Sequence, residues 1–142
     1  MRNKGLNLAL GLGLLLCAAL ACKFNASTAN LSGLKVAKDK AATQEASSFS
    51  PTDTIYAVAE VSNVPDKVKV KGRLLFDDVE GQPNGPVPGA ETTLDLPGSG
   101  TATYTFTPPP SGWPKGKYKV EATMMTEEGE QKDQKSATFS VN

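Results

Sequence analysis

The chain has 142 residues, with 15 Lys and Arg against 15 Asp and Glu, two cysteines and no histidine. The balanced charge argues against a nucleic-acid binder that works through a strongly basic surface. The lack of histidine removes Ser-His-Asp and Cys-His catalysis together with the commonest metal ligand.

The chain opens with a basic start at Arg2 and Lys4 and an almost wholly apolar run over 6–20 that reaches Ala19-Leu20-Ala21-Cys22. A basic start, a short apolar run and small residues are the pattern of an export signal. The final block resembles the lipobox of bacterial lipoproteins. That resemblance implies a signal peptide over 1–21 and a first mature residue, Cys22, carrying diacylglycerol on its sulfur and a fatty acid such as palmitate on its amine. Two or three acyl chains, at about 0.8 kcal/mol per buried methylene, make membrane attachment effectively permanent. Lys23 rather than Asp follows Cys22, which by the same resemblance implies the outer membrane. Two other readings stand beside this one. Ala-x-Ala also suits an ordinary signal peptidase, which would release a soluble exported protein. Retention as an anchor is the third, although the apolar run is short against the roughly 20 residues of a spanning helix. Cys17 lies inside the signal, so processing leaves one cysteine and no internal disulfide.

Residues 23–48 are rich in Ala, Ser, Thr, Asn, Lys and Gln. Such a stretch buries too little surface to offset its ordering entropy, so 22–48 is expected to be a tether. Within it, 34–38 alternates weakly and is a candidate first strand. From Phe49 onward the hydrophobic period is two. Residues 54–62 are rich in β-formers. Val68, Val70, Leu74 and Phe76 share one face with Gly72, and Lys67, Lys69, Lys71 and Arg73 share the other. Ala102, Tyr104 and Phe106 alternate with threonines, Tyr118 to Met124 alternate with Lys117, Lys119, Glu121 and Thr123, and Ala137, Phe139 and Val141 close the chain. One face packs and the other meets water, which is the antiparallel pattern. Turn signals at 63–66, 80–89, 97–100 and 127–130 separate these runs. The expected fold is an all-β antiparallel sandwich over 49–142.

Phe49-Ser50-Pro51-Thr52-Asp53-Thr54-Ile55-Tyr56 and Gly112-Trp113-Pro114-Lys115-Gly116-Lys117-Tyr118-Lys119-Val120 resemble immunoglobulin-like or fibronectin-III-like domains of bacterial surface lipoproteins. The resemblance implies an immunoglobulin-like β-sandwich of about seven strands. It also implies a tyrosine-corner role for Tyr118, whose hydroxyl would bond back to the preceding loop. Such sandwiches host many roles, so the fold by itself names none.

The row Lys67-Lys69-Lys71-Arg73 places four cations on one strand face about 6.6–7 Å apart. In an immunoglobulin-like topology the penultimate strand lies alongside and adds Lys117 and Lys119. Six such charges fit an anionic glycan, a lipid headgroup or an acidic envelope protein. A solvated face that discourages edge pairing fits the row as well. Trp113 reads either as an aromatic loop anchor for a partner or as a plug in the open end of the sandwich. Asp77, Asp78 and Glu80 match no calcium loop, and no metal or cofactor is expected. The function expected is a non-enzymatic, lipid-anchored cell-envelope protein that presents a binding or assembly surface and contacts the membrane through Cys22. The alternatives are a protease-inhibitor-like or chaperone-like module that presents its loops, and a small-molecule carrier or histidine-free enzyme.

Overall fold

The computed structural model describes residues 29–142; the expected signal peptide and Cys22 lie outside the described residues. The described residues form strands and no helix. The strands are β1 (Asn30–Ala37), β2 (Ser48–Phe49), β3 (Ile55–Ser62), β4 (Val68–Val79), β5 (Gly85–Leu96), β6 (Gly100–Phe106), β7 (Gly116–Met125) and β8 (Gln131–Val141). One sheet has the order β1-β3-β6 and the other β2-β8-β7-β4-β5. Every pairing is antiparallel except that of β2 with β8. The two sheets pack face to face, so the architecture is a β-sandwich.

The two-residue period decides which side chains fill the space between the sheets. Ile55, Ala57, Ala59 and Val61 of β3 point inward, as do Val68, Val70 and Leu74 of β4 and Tyr118, Val120, Ala122 and Met124 of β7. All of them are buried. A slip of one residue would turn each of these sets to solvent, so the register is strongly specified. The sheets are also braced across the core. Tyr104 of β6 lies over Gly72 of β4, where an added Cβ would come within 2.6 Å of its ring. Its hydroxyl donates to the Val70 carbonyl at 2.5 Å. Burial raises the pKa of that hydroxyl, so it stays a donor at any ordinary pH.

The folded domain begins earlier than expected, at Asn30 rather than Phe49. Leu31 is 1% exposed and Val36 7%, both in the core. After β1 the chain does not trail away. Asp39 accepts hydrogen bonds from the Thr43 hydroxyl at 2.6 Å and from the Thr43 and Gln44 amides at 3.1 and 2.8 Å. Lys38 N–H donates to the Gln44 carbonyl, and Ala46 N–H returns to Val36. One carboxylate thus organises a loop whose composition offers little to bury. The candidate strand at 34–38 is the second half of a longer one, interrupted by a bulge between Leu31 and Gly33.

Two further differences concern strands. The stretch read as a connection over 80–89 ends inside β5, an edge strand whose Pro86 and Pro88 disguise it, because proline survives in a sheet only at an edge or bulge. β2 contributes only two residues, too few to leave a period. The described residues hold eight strands where about seven were expected.

Candidate binding surfaces

β4 and β7 are neighbours, so Lys69, Lys71 and Arg73 share the outer face of the five-stranded sheet with Lys117 and Lys119, while Lys67 stands exposed just before β4. The face is not uniformly positive. Arg73 donates from Nε and Nη2 to the same Glu121 oxygen at 2.8 and 2.6 Å, and its other register neighbour is Glu91. Both side chains are largely covered, at 29% and 14% exposure, so this pair is the one on the face with a fixed geometry. Lys69 reaches Asp95 at 3.7 Å, but the carboxylate is 79% exposed. Exposed pairs of that kind contribute little to stability. Lys71 stands between Thr93 and Thr123 and makes no ion pair among the described residues. Lys117 pairs in register with Asp78, and Lys119 with Leu75.

The expected strip of six cations is therefore brought together but divided. Three carboxylates of neighbouring strands, Glu91, Asp95 and Glu121, stand among them. Glu60 is on the other sheet, away from this face, and pairs with Lys35 at 3.5 Å. Leu75 was not singled out from the sequence, although it sits on this outer face and is only 9% exposed, flanked in register by Pro86 and Lys119. A bulge between Arg73 and Leu75 in the β4–β5 ladder separates it from the basic row, and alternation alone carries no signal for a bulge.

Trp113 fills one end of the sandwich. It is 6% exposed, its Nε1–H donates to the Asp53 carbonyl at 2.9 Å, and its backbone N–H donates to Pro51 at 2.8 Å. Its ring meets Tyr118 edge-on, with centroids 6.2 Å apart. Tyr118 in turn stacks on Phe139 at 5.4 Å, and Phe139 meets Phe49 edge-on at 5.2 Å. Such contacts stabilise beyond the area they bury. The structure thus makes Trp113 a plug rather than an exposed anchor. The Tyr118 hydroxyl donates to the Pro114 carbonyl at 2.6 Å, as the resemblance implied, and burial pushes its pKa up to about 12. Asp77, Asp78 and Glu80 do not converge: among the described residues no group of three or more acidic or cysteine side chains is placed to hold a metal ion. Among those residues, too, no helix is long and apolar enough to cross a membrane.

Neither a family model nor a curated protein matches the chain. Solved structures with a similar backbone include a Niemann-Pick type C2 protein from the Japanese carpenter ant, at 11% identity and TM-score 0.47, with 80% of this chain and 92% of that one covered. The soluble domain of PmoD from Methylocystis sp. ATCC 49242 is similar at 19% identity and TM-score 0.44, over 77% and 89% of the two chains. A β-glucosidase from Listeria innocua is similar at 12% identity and TM-score 0.47, over 78% of this chain but only 16% of the enzyme.

Proposed function

We propose that this chain is a lipid-anchored protein of a bacterial cell envelope, held at the outer membrane through acylated Cys22, whose immunoglobulin-like sandwich presents a non-catalytic binding surface. The observation that carries the reading is the Ala19-Leu20-Ala21-Cys22 block behind a basic and then apolar leader. β1 begins eight residues beyond Cys22, and eight residues reach at most about 28 Å when fully extended. Anchoring then gives the sandwich a polarity. Asn30 pairs with Ser62, and Val61 with Gly100, so the 63–67 and 97–99 turns share the end at which the anchor enters. The 80–84 turn and the 107–115 loop lie at the opposite end and face outward. Support for the immunoglobulin-like assignment comes from the Tyr118 hydroxyl, which returns to Pro114 as in a tyrosine corner.

Metabolic labelling with palmitate and membrane fractionation, comparing the native chain with Cys22→Ala, test the reading. The native protein takes up label and sediments with membranes; the variant takes up none and moves to the soluble fraction. A variant that fractionates like the native protein overturns it. A second reading, recognition of an anionic glycan or headgroup, is favoured by Lys71 on the outer face, which makes no ion pair among the described residues. If Lys71→Glu with Lys119→Glu captures anionic vesicles as well as the native protein does, that reading is excluded.

A further inference from the structure

The two sheets are of unequal width on one side. β5 carries the five-stranded sheet one strand beyond β4, while the three-stranded sheet stops at β6. Val87, Ala90, Leu94 and Leu96 of β5 pack against the core but remain partly exposed, because no strand among the described residues lies over them. Facing them is the free edge of β6. Among the described residues the backbone of β6 is hydrogen-bonded to β3 alone, so alternate amides and carbonyls of the strand are left unpaired. At the Phe106 end of this side lies an open groove of about 360 Å³, lined by Val87, Ala90, Thr105, Phe106, Pro109 and Trp113 among others.

Edges of this kind are normally blunted by proline, charge, a bulge or a covering segment. β5 carries Pro86 and Pro88, and Gly89 at φ 75° breaks its course. β8 carries Lys132 and Lys135, and β2 covers its end. β1 has its bulge, and the loop after it folds back on Val36. β6 has none of these. Gly100–Phe106 contains no proline and no charged residue, and its register against β3 is unbroken.

We propose that the β5–β6 side is a docking slot for an extended segment of a partner protein, which adds to β6 as a fourth strand and lays alternate side chains over the inner face of β5. Main-chain bonds to β6 supply affinity and the β5 floor supplies selectivity. The chemistry of the occupant follows from the lining. No charged side chain lines the groove, so a buried charge on the incoming strand would go unpaired and is disfavoured. The segment that fits alternates small apolar residues, facing β5, with polar residues beside Thr101, Thr103 and Thr105. A second copy of this chain fits less well. Joining two β6 edges would bring the two overhanging β5 strands into the same layer. The slot goes beyond the anchored-surface reading and is tested on purified protein, so its failure leaves the lipidation of Cys22 standing.

The full chain, purified in detergent, is titrated with the peptide acetyl-Thr-Val-Thr-Val-Thr-Val-Thr-amide while amide exchange is followed residue by residue by NMR. Alternate amides of 100–106 are expected to slow at least tenfold. The same peptide N-methylated at alternate residues is expected not to bind. Ala90→Lys, which sets a charge on the floor, is expected to weaken binding at least tenfold; if it unfolds the protein, Val87→Asp near the strand's end takes its place. No slowing at β6 in folded protein, slowing at the β1 or β8 edge instead, or equal binding by the N-methylated peptide each overturns the proposal. Concentration-dependent dimers that protect β6 without peptide would assign the slot to a second copy and overturn the partner assignment.

Discussion

The two lateral sides of this sandwich are closed in different ways, and the contrast shows what a β-sandwich needs at its margins. On the β1–β8 side, the Leu31 amide reaches across the sheets and donates to the Asp133 carboxylate at 2.9 Å. Leu31 itself is buried beneath it. β2 pairs alongside the last residues of β8 and covers that part of its edge, and the 38–46 loop shuts the end of β1. On the β5–β6 side the brace lies one strand further in, from Tyr104 to Val70, and the margin outside it stays open. Packing of the inner faces holds the layers together, and each side of this sandwich adds one inter-sheet hydrogen bond. Whether the strands outside that brace are covered is a separate matter, free to serve binding.

Leu31→Ala should break this contrast most severely. Removing a buried leucine leaves a cavity under the closed margin and should cost about 3 kcal/mol, read as a lower urea midpoint with unchanged m. Tyr104→Phe acts on the other side. It deletes the hydroxyl bond to Val70 and should cost about 1.5 kcal/mol, with amide exchange rising in β6 more than in β1. An equal rise in both strands would mean that the two sides open together. Asp133→Ala removes the partner of the Leu31 amide and should cost about 1 kcal/mol, with faster exchange confined to that amide and its neighbours.

Acid should have the smallest and most local effect. Hydrogen bonds from the Thr43 side chain and the Gln44 amide hold Asp39 below its ordinary pKa of 3.8, and the Ser50 amide does the same for Asp53. A depressed carboxylate contributes order that is present above its unfolded pKa and is lost as pH falls through the folded value. Below about pH 3.8, therefore, the amides of Thr43 and Gln44 should lose protection while the core strands keep theirs. Simultaneous loss in β3 and β7 would show that the loop is not an independent unit.

Most of the core was legible in advance because β4, β6 and β7 bury chiefly one face, Leu75 and Thr123 being the buried residues of the other. Val70, Tyr104 and Tyr118 stand where a period of two puts them, and that period survives any error about neighbours. The return of the Tyr118 hydroxyl to its preceding loop was implied by the resemblance that 112–120 carries, and the bond itself is local, its donor and acceptor four residues apart. β1 was only half legible. Its burial depends on the opposite sheet, and the order of the loop behind it depends on one aspartate rather than on apolar content. β5 was illegible as a strand because two prolines and a bulge interrupt its alternation, features that an edge tolerates and a central strand does not. The candidate surface divides in the same way. Alternation placed Lys69, Lys71 and Arg73 on one face, but Glu121 and Asp95 come from other strands and were assigned to individual cations only by the register of β7 and β5.

The sequence by itself determined the all-β character and the inward and outward faces of the principal strands. These are local patterns, fixed by the alternation of side chains along one strand or by the order of residues along one segment. Only the tertiary structure decided that Trp113 is a plug, that the basic row is divided by carboxylates, and that β6 ends its sheet one strand short of β5. Each of these depends on which strand lies beside which. That is settled by the packing of residues far apart in the chain, and no local period records it.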